Sequence, residues 1–323
     1  MLRSFGFKEA EAGQFSLELV CSSEAKAPPS SPRCLGVYHR LWRSDQYFAE
    51  CSKMCWDRIS KLPDSLLTHI LSYLSTKDSV KTSVLSKRWE LLWLKVSGLD
   101  LNTMDFLPYG EALLTSMDRY LEFNRGLCLQ TFKMKYFRHK KLGNESNVRP
   151  VEWVAEVFHR RVQHLDLENE LFPTTLDIMP GCIYLSKTLV SLKLVKVGLK
   201  NLNYAVSLPC LKIMHLEGNY IMSRDTFYCI DYVRGDGRLV MENLISGSPV
   251  LENVTLEDSV DIWPEEVNSS WTNVPQCLSS TLEYVMIDVN IMMSEDGIKL
   301  ANYFLENSAV LKKLTLSYKY FGK

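Results

Sequence analysis

The chain lacks several features that would identify a common class of protein. It contains 37 Lys and Arg against 38 Asp and Glu, a net charge of −1, so no excess of one sign attracts nucleic acid or an anionic membrane. No apolar run approaches the roughly 20 residues of a transmembrane helix. The N-terminus lacks a signal-peptide pattern, because Lys8, Glu9 and Glu11 precede the candidate apolar stretch. We therefore expect neither nucleic acid nor membrane as a partner.

The cysteines do not form a disulfide or metal framework. There are nine, scattered along the chain and odd in number, whereas a disulfide scaffold has an even, clustered set. This pattern predicts a reducing compartment, the cytoplasm or the nucleus. Cys51 and Cys55 could form half a metal site, but no second Cys/His pair lies at suitable spacing and structural zinc takes four ligands. We expect no metal and no cofactor.

Candidates for catalysis are equally weak. His159 and His164 surround a predicted helix end, where a cation is favourable without any catalytic role. No histidine is paired in sequence with a thiol that could act as a nucleophile, the candidates being Cys182, Cys210, Cys229 and Cys277. A basic cluster with interleaved Tyr136 and Phe137 comprises Lys133, Lys135, Arg138, Lys140 and Lys141. It could hold RNA or an inositol phosphate, but the neutral net charge of the chain favours a solvated strand end and loop. We predict no catalytic residues.

Residues 57–101 carry the most information, because they predict three short helices with apolar faces. Pro63 is expected at the first helical position. Five apolar residues then recur at helical spacing: Leu66, Leu67, Ile70, Leu71 and Leu74. Thr76 and Asp78 offer caps for a second helix that carries Val80 and Val84.

The third predicted helix begins at Ser86 and places Trp89, Leu92 and Trp93 three to four residues apart. A unit this small cannot bury two tryptophans and so many leucines by itself. We expect an apolar surface to remain, and such surfaces usually mark the docking site of a partner.

These residues closely resemble the F-box. The matching elements are Ile59-Ser60-x-Leu62-Pro63-Asp64-x-Leu66-Leu67, Ile70-Leu71-Ser72-Tyr73-Leu74, Thr76-Lys77-Asp78, Thr82-Ser83-Val84-Leu85-Ser86-Lys87-Arg88-Trp89 and Leu92-Trp93. The resemblance implies docking onto a Skp-type adaptor and, through it, onto the cullin and RING subunits of an SCF ubiquitin ligase. The adaptor-binding residues that it implies are Leu62, Pro63, Leu66, Leu67, Ile70, Leu71, Leu74, Val84, Leu85, Trp89, Leu92 and Trp93. We expect some to hold the helices together as well, with Leu62 and Pro63 as pure contacts.

A second pattern, Leu-x-x-Leu-x-Leu with apolar substitutions, recurs seven times after the F-box. Its middle positions are residues 132, 165, 192, 214, 254, 285 and 314, and the copy at Leu211–Asn219 ends in the asparagine typical of leucine-rich repeats. Helical stretches at Val151–Val162 and Ile298–Glu306 alternate with these segments. The pattern predicts an irregular leucine-rich-repeat solenoid with parallel strands on the concave side and helices on the convex side. A generic α/β domain is the alternative.

The C-terminal stretch resembles the FBD motif that follows such repeats in many plant F-box proteins. The matching segments are Pro275–Val285 and Ala301–Thr315. We therefore predict an α/β chain with four parts: an N-terminal extension at 1–55, with a linker-like or disordered tract, an F-box at 56–98, repeats at 99–266, and an FBD-like last repeat and cap at 267–323.

The function predicted from these parts is that of the substrate-recognition subunit of an SCF-type ubiquitin ligase. Residues that alternate with the buried strand positions are expected on the concave surface, facing an unknown target protein: Asp166, Lys193, His215, Glu217 and Thr255. Two alternatives remain at this point. One is a repeat scaffold that binds proteins without assembling a ligase, and the other is a hydrolase on an α/β framework.

Overall fold

The computed structural model describes ten segments of the chain: residues 59–106, 111–123, 126, 128–136, 150–170, 177–200, 205–222, 237–257, 274–289 and 294–318. The predicted N-terminal extension lies outside them, as do Cys51, Cys55 and Cys229. The chain divides into two units, Met1–Lys61 and Leu62–Lys323. In the first, the described element is a 3₁₀ turn at Ile59–Lys61. All the other described elements belong to the second unit.

This unit begins with two short α-helices, α1 (Asp64–Leu71) and α2 (Thr76–Lys81). A 3₁₀ turn at Thr82–Val84 follows α2 directly, and another lies at Trp93–Lys95. The predicted α-helix from Ser86 is wrong. Residues 87–92 form turns closed by i→i+3 hydrogen bonds, such as Trp89 N–H to Ser86 O at 2.9 Å. Side chains three apart lie above one another in such turns, which directs Trp89 and Leu92 into the same interior.

Eight strands then form one parallel sheet in the order β1-β2-β3-β4-β6-β8-β9-β10. Their bounds are Gly98–Asn102, Thr131–Tyr136, His164–Asn169, Ser191–Val195, Ile213–Glu217, Asn253–Glu257, Tyr284–Val289 and Lys313–Tyr318. A second sheet pairs β5 (Gly198–Lys200) with β7 (Tyr220–Met222), again in parallel. Each strand of the large sheet is beside its predecessor, so the chain builds the sheet in sequential order.

The register confirms the seven predicted strand segments. Phe132, Leu165, Leu192, Met214, Val254, Val285 and Leu314 are successive Cα partners across the sheet. An eighth strand, β1, was not predicted, and it places Leu99 opposite Phe132 at the head of this row. Its segment, Val96-x-x-Leu99-x-Leu101, fits the motif with valine at the first position, so the repeat pattern could have identified it. The repeated spacing therefore determines the register, since equivalent positions stack strand on strand.

Helices cover the face of the sheet that carries the apolar row from Leu99 to Leu314. They are α3 (Glu111–Phe123), α4 (Pro150–His159), α5 (Gly237–Ser246), α6 (Gln276–Ser280) and α7 (Ser294–Asn307). Of these, α4 and α7 were predicted and are confirmed with slightly different ends. Buried side chains such as Met117 of α3, Trp153 of α4 and Phe304 of α7 join the strand leucines in one continuous core. This makes the unit a mixed α/β structure with a one-sided helix layer.

Asn219, the asparagine of the clearest repeat, connects neighbouring repeats through the backbone. Its amide Nδ2–H donates to Leu194 O at 2.8 Å, and its Oδ1 accepts from Val197 N–H at 3.1 Å. The side chain is 2% exposed. Gly218 precedes it with φ +56°, a backbone conformation that favours glycine. The asparagine thus satisfies two buried backbone groups, one within β4 at Leu194 and one just beyond the strand at Val197.

We predict that Asn219→Leu destabilises the chain by about 1–3 kcal/mol for each backbone group left unpaired. Asn219→Asp keeps the acceptor but places a buried carboxylate oxygen against Leu194 O, so it should also destabilise the chain. The measurement is the free energy of unfolding from chemical denaturation. Asn307→Leu is the matched control, because the partner of Asn307, Tyr303 O at 2.9 Å, lies in its own helix. Equal losses for Asn219→Leu and Asn307→Leu would contradict this assignment.

Candidate protein-binding surfaces

The first two helices are fixed by short local contacts. Pro63 occupies the N-cap of α1 rather than the predicted first helical position, and its carbonyl accepts from Leu66 N–H and Leu67 N–H. Ser75, rather than the predicted Thr76 or Asp78, caps α2: its Oγ accepts from Asp78 N–H at 3.1 Å. A serine oxygen at this position satisfies an amide that the helix itself leaves unpaired.

A small core holds the two helices and the following turns together. It consists of Leu67, Leu71, Trp89, Leu92 and Val96, with Leu62 packed against it. Ser79 adds a buried hydrogen bond from its Oγ to Leu71 O at 3.0 Å. This core is separate from the main one, and all five of its members are at most 6% exposed.

Arg88, which lies after α2 in the chain, binds the residues at the start of α1. Its guanidinium donates to the Asp64 carboxylate from Nε at 2.9 Å and from Nη2 at 2.8 Å, and to Leu62 O. The hydrogen bond from Arg88 holds the pKa of the Asp64 carboxyl below its usual value. Both groups are exposed, so the contact orients the Leu62–Pro63 turn more than it stabilises the fold.

The helical segment is joined to the sheet by apolar and polar contacts. Trp93 belongs to the main core and stacks on Tyr120 of α3 with ring centroids 6.3 Å apart. Thr76 Oγ1 accepts from Asp100 N–H of β1 at 2.8 Å, and Lys77 pairs with Asp105 at 2.6 Å. The two tryptophans are therefore 5% and 6% exposed within this chain. The helical segment does not bury both tryptophans by itself, as we expected: the small core buries Trp89, and the sheet domain rather than a second protein buries Trp93.

A set of large apolar side chains in this segment nevertheless remains exposed. We call it the apolar set and define it as Leu66, Ile70, Tyr73, Leu74, Val84, Leu85 and Leu91. Val84 is 85% exposed and Leu85 64%, although both follow a well-formed helix. Apolar groups concentrated in this way on a segment whose own core is complete are typical of a protein-binding surface.

The structure divides the twelve predicted adaptor-binding residues into two groups. Five lie in the interior and are unreachable in this conformation: Leu67, Leu71, Trp89, Leu92 and Trp93. Seven are at least partly exposed: Leu62, Pro63, Leu66, Ile70, Leu74, Val84 and Leu85. Since Leu62 packs against the small core, it is not the pure contact that we expected. Tyr73 and Leu91 were missed, although Tyr73 follows Leu66 and Ile70 at helical spacing.

A second surface is the polar face of the sheet, opposite the helices. Its middle row runs across neighbouring strands through Asp100, Lys133, Asp166, Lys193, His215 and Thr255. The predicted concave residues therefore lie on this face. Charges alternate along the row, and Lys193 Nζ lies 3.6 Å from Asp166 Oδ1. A surface with both signs suits a protein better than a polyanion.

A groove of about 1010 Å³ lies between α1 and this polar face. On the helix side it is lined by Ser65, Thr68, His69 and Ser72. On the sheet side it is lined by the first residues of successive strands, Gly98, Thr131, His164, Ser191 and Ile213. The groove therefore connects the helical segment with the face of the sheet.

The described residues give little support to the other candidate sites. Lys135 of the basic cluster pairs with Glu168 and Glu170 at 2.9 and 3.0 Å, which raise its pKa and neutralise its charge. Burial raises the pKa of Cys277 to about 11 and raises that of Cys182 too, so both favour the thiol form. No group of three or more His, Cys, Asp or Glu side chains in the described segments is placed to hold a metal ion. None of the helices there has the length and composition to span a bilayer.

Comparison with known families identifies both ends of the described unit. Residues 59–99 match the F-box domain, and residues 270–316 match the FBD family. The F-box match covers the segment with the apolar set. The FBD match ends inside β10 and covers α6, β9 and α7. No solved structure matches the chain.

Similar proteins come from Arabidopsis thaliana. An FBD-associated F-box protein is 37% identical over 365 residues, which cover 83% of this chain and 92% of that protein. Two F-box/FBD/LRR-repeat proteins are 51% and 47% identical over 206 and 208 residues, covering 62% and 64% of this chain. This chain spans only 42% of the length of each of those two. With nearly the whole of the first relative matched, the chain belongs to the plant-type F-box/FBD/LRR-repeat protein family.

Proposed function

We propose that the protein is the substrate receptor of an SCF-type ubiquitin ligase, with the F-box bound to a Skp-type adaptor and the sheet domain bound to a target. F-box domains generally bind such adaptors. The observation that carries the proposal is the apolar set: Val84 and Leu85 are 85% and 64% exposed on a segment whose interior is already filled. Their burial requires a second protein, and the adaptor is the partner that the F-box family indicates.

The sheet domain is proposed to be an irregular leucine-rich-repeat solenoid, with its strands on the concave side and its helices on the convex side. Sequential parallel strands in register, a helix layer on one face and the Asn219 bridge between repeats support this assignment. We propose its limits as residues 99–266, after an extension at 1–55 and an F-box at 56–98. The FBD-like segment at 267–323 would be the last repeat and cap.

The polar face is proposed as the surface that holds the target. It presents both signs of charge in the row from Asp100 to His215 and is continuous with the groove beside α1. A target held there would lie next to the helix that docks on the adaptor. A surface with charges of both signs favours a protein whose charges are complementary to it, and it does not attract every protein of one net charge.

The mechanism assigned to this chain is proximity. F-box proteins are in general non-catalytic adaptor subunits, and we assign no bond-forming step to these residues. A target lysine held beside a ubiquitin-loaded carrier meets it within one assembly, which raises its effective concentration to the range of tethered reactants. The reaction itself would be performed by other subunits in the cytoplasm or nucleus. The free thiols of Cys128, Cys182, Cys210 and Cys277 are compatible with a reducing compartment.

We predict that Ile70→Glu combined with Leu85→Glu prevents binding of a purified Skp-type adaptor. Each carboxylate would be buried without a partner, and loss of a central apolar contact alone costs about 2 kcal/mol or more of binding free energy. Binding is measured by calorimetry with the full chain. Leu305→Glu is the matched control, because Leu305 is an exposed leucine of α7 with 57% of its surface accessible.

The control should bind the adaptor like the unmodified chain, and the double variant should keep the unmodified far-UV circular dichroism. Retained adaptor binding by the folded double variant would refute the docking role of the apolar set. Affinity purification of the tagged chain with proteasome activity blocked then separates a ligase from a plain scaffold. A ligase subunit retains cullin together with an enriched client, whereas a scaffold retains the client without cullin.

The small core gives a separate prediction. Trp89→Ala should reduce the free energy of unfolding by about 3–5 kcal/mol, because it empties the centre of that core. Leu85→Glu, an exposed change, should remain within about 0.5 kcal/mol of the unmodified chain. Chemical denaturation measures both. A small loss for Trp89→Ala would show that the tryptophan does not support the helices as the contacts indicate.

A further inference from the structure

A pocket with apolar walls lies where the F-box meets the sheet domain, between α2, β1 and α3. Its volume is about 200 Å³. Six apolar side chains from these elements and from the turn before β1 line it: Val80, Trp93, Leu99, Leu101, Met117 and Tyr120. Protein interiors are close-packed and leave few voids larger than a water molecule. A space of this size against the main core is therefore a candidate site for a small molecule.

The composition of α2 explains why the space is left open. Thr76 Oγ1 accepts from Asp100 N–H at 2.8 Å, which fixes the start of α2 against β1. Lys77 pairs with Asp105 at 2.6 Å and fixes the same turn. Val80 is the only apolar residue of α2, and it packs against the main core while remaining partly exposed. Because a valine side chain is short, the space between α2 and α3 stays unfilled.

The inner wall of the pocket is aromatic. Trp93 and Tyr120 stack with ring centroids 6.3 Å apart, and both rings line the pocket. They are 6% and 2% exposed, so the surrounding core holds them in place. Aromatic rings gain stability from offset or edge-to-face contact beyond the gain from the buried area alone. This wall favours an aromatic ring over an aliphatic group of the same size.

The charges at the pocket are already balanced. Lys77 and Lys81 lie at its solvent side, with 42% and 65% of their side chains exposed. Lys77 Nζ is 2.6 Å from an oxygen of Asp105, and Lys81 Nζ is 2.8 Å from an oxygen of Asp78. An anionic ligand would compete with these carboxylates, and a cationic ligand would lie beside two ammonium groups. The pocket therefore suits an uncharged molecule.

One hydroxyl group at the pocket remains for a ligand. Thr76 Oγ1 is occupied by the backbone of β1. Ser116 of α3 also lines the pocket, is partly exposed, and has no side-chain partner among the described residues. A serine hydroxyl can both donate and accept a hydrogen bond. A single polar group on the ligand can therefore bind here while the rest of the molecule contacts apolar walls.

We propose that this pocket binds an uncharged, single-ring aromatic molecule that carries one hydroxyl or similar polar group. The ring lies against Trp93 and Tyr120, and the polar group bonds to Ser116. The size is suitable, because an apolar cavity of about 150 Å³ stays dry and binds benzene. The ligand contacts α2 of the F-box together with β1 and α3 of the sheet domain, so it stabilises their junction. No residue of the apolar set lines the pocket.

Phenol is the first probe, used with the full-length chain. A ligand-observed NMR titration should show saturable binding with a Kd of about 0.1–1 mM, as expected for so small a ligand. Saturating phenol should also raise the midpoint of thermal unfolding. Cyclohexanol has a similar size and one hydroxyl but no aromatic ring, so it should bind about three- to tenfold more weakly. Benzoate, which has the ring and a negative charge, should also bind more weakly than phenol.

Two substitutions test the walls of the pocket. Ser116→Ala should weaken phenol binding about two- to tenfold and leave benzene binding unchanged, because benzene makes no hydrogen bond. Val80→Phe should fill the pocket from α2 and abolish the binding of both probes, with unmodified far-UV circular dichroism. Val310→Phe is the matched control, since Val310 is 36% exposed and lies outside the pocket. It should bind phenol like the unmodified chain.

Several results would overturn the proposal. Absence of saturable phenol binding would do so, as would unchanged binding by folded Val80→Phe, which would place the probe elsewhere. Cyclohexanol or benzoate binding as tightly as phenol would contradict the uncharged aromatic class. If Val80→Phe does not fold, Ser116→Ala still decides the outcome. An unchanged affinity for phenol, or equal losses for phenol and benzene, would show that the hydroxyl does not hold the ligand.

Discussion

The structure depends on two apolar rows that stack strand on strand in the same register. Each copy of Leu-x-x-Leu-x-Leu contributes one residue to each row, so that Leu192 and Leu194 lie between their equivalents in β3 and β6. Side chains on a strand alternate between faces, and a shift by one residue would expose both rows together. This constraint fixes the register, directs the helices to one face and leaves the other face for charged residues.

The F-box is part of this arrangement rather than a separate attachment. Trp89 fills the small core, whereas Trp93 enters the main core and stacks on Tyr120. The segment therefore has a stable interior before any partner binds, and α2 also covers the first edge of the sheet. Exposed leucines beside a completed interior are available for recognition, because their removal from water is not needed for folding.

The two candidate binding surfaces lie on different parts of the molecule, one on the helical segment and one on the sheet. The apolar set faces outward from the helical segment, and the polar face presents alternating charges such as Asp166 and Lys193. The apolar set suits a partner that offers apolar area, and the polar face suits a partner with matching charges.

The sequence by itself determined the family, the seven strand segments and their mutual register, because each depends on local spacing that survives in any packing. It did not separate Trp89 and Leu67 from Leu85 and Val84, since all are apolar residues at helical spacing. Tertiary packing decided that division: Leu67 and Trp89 meet in the small core when α1 and the turns after Ser86 pack together, whereas Val84 and Leu85 remain outside it. It also decided the turns after Ser86 and the exposed state of Leu316, because both depend on neighbours in the fold that the local spacing of apolar residues does not specify.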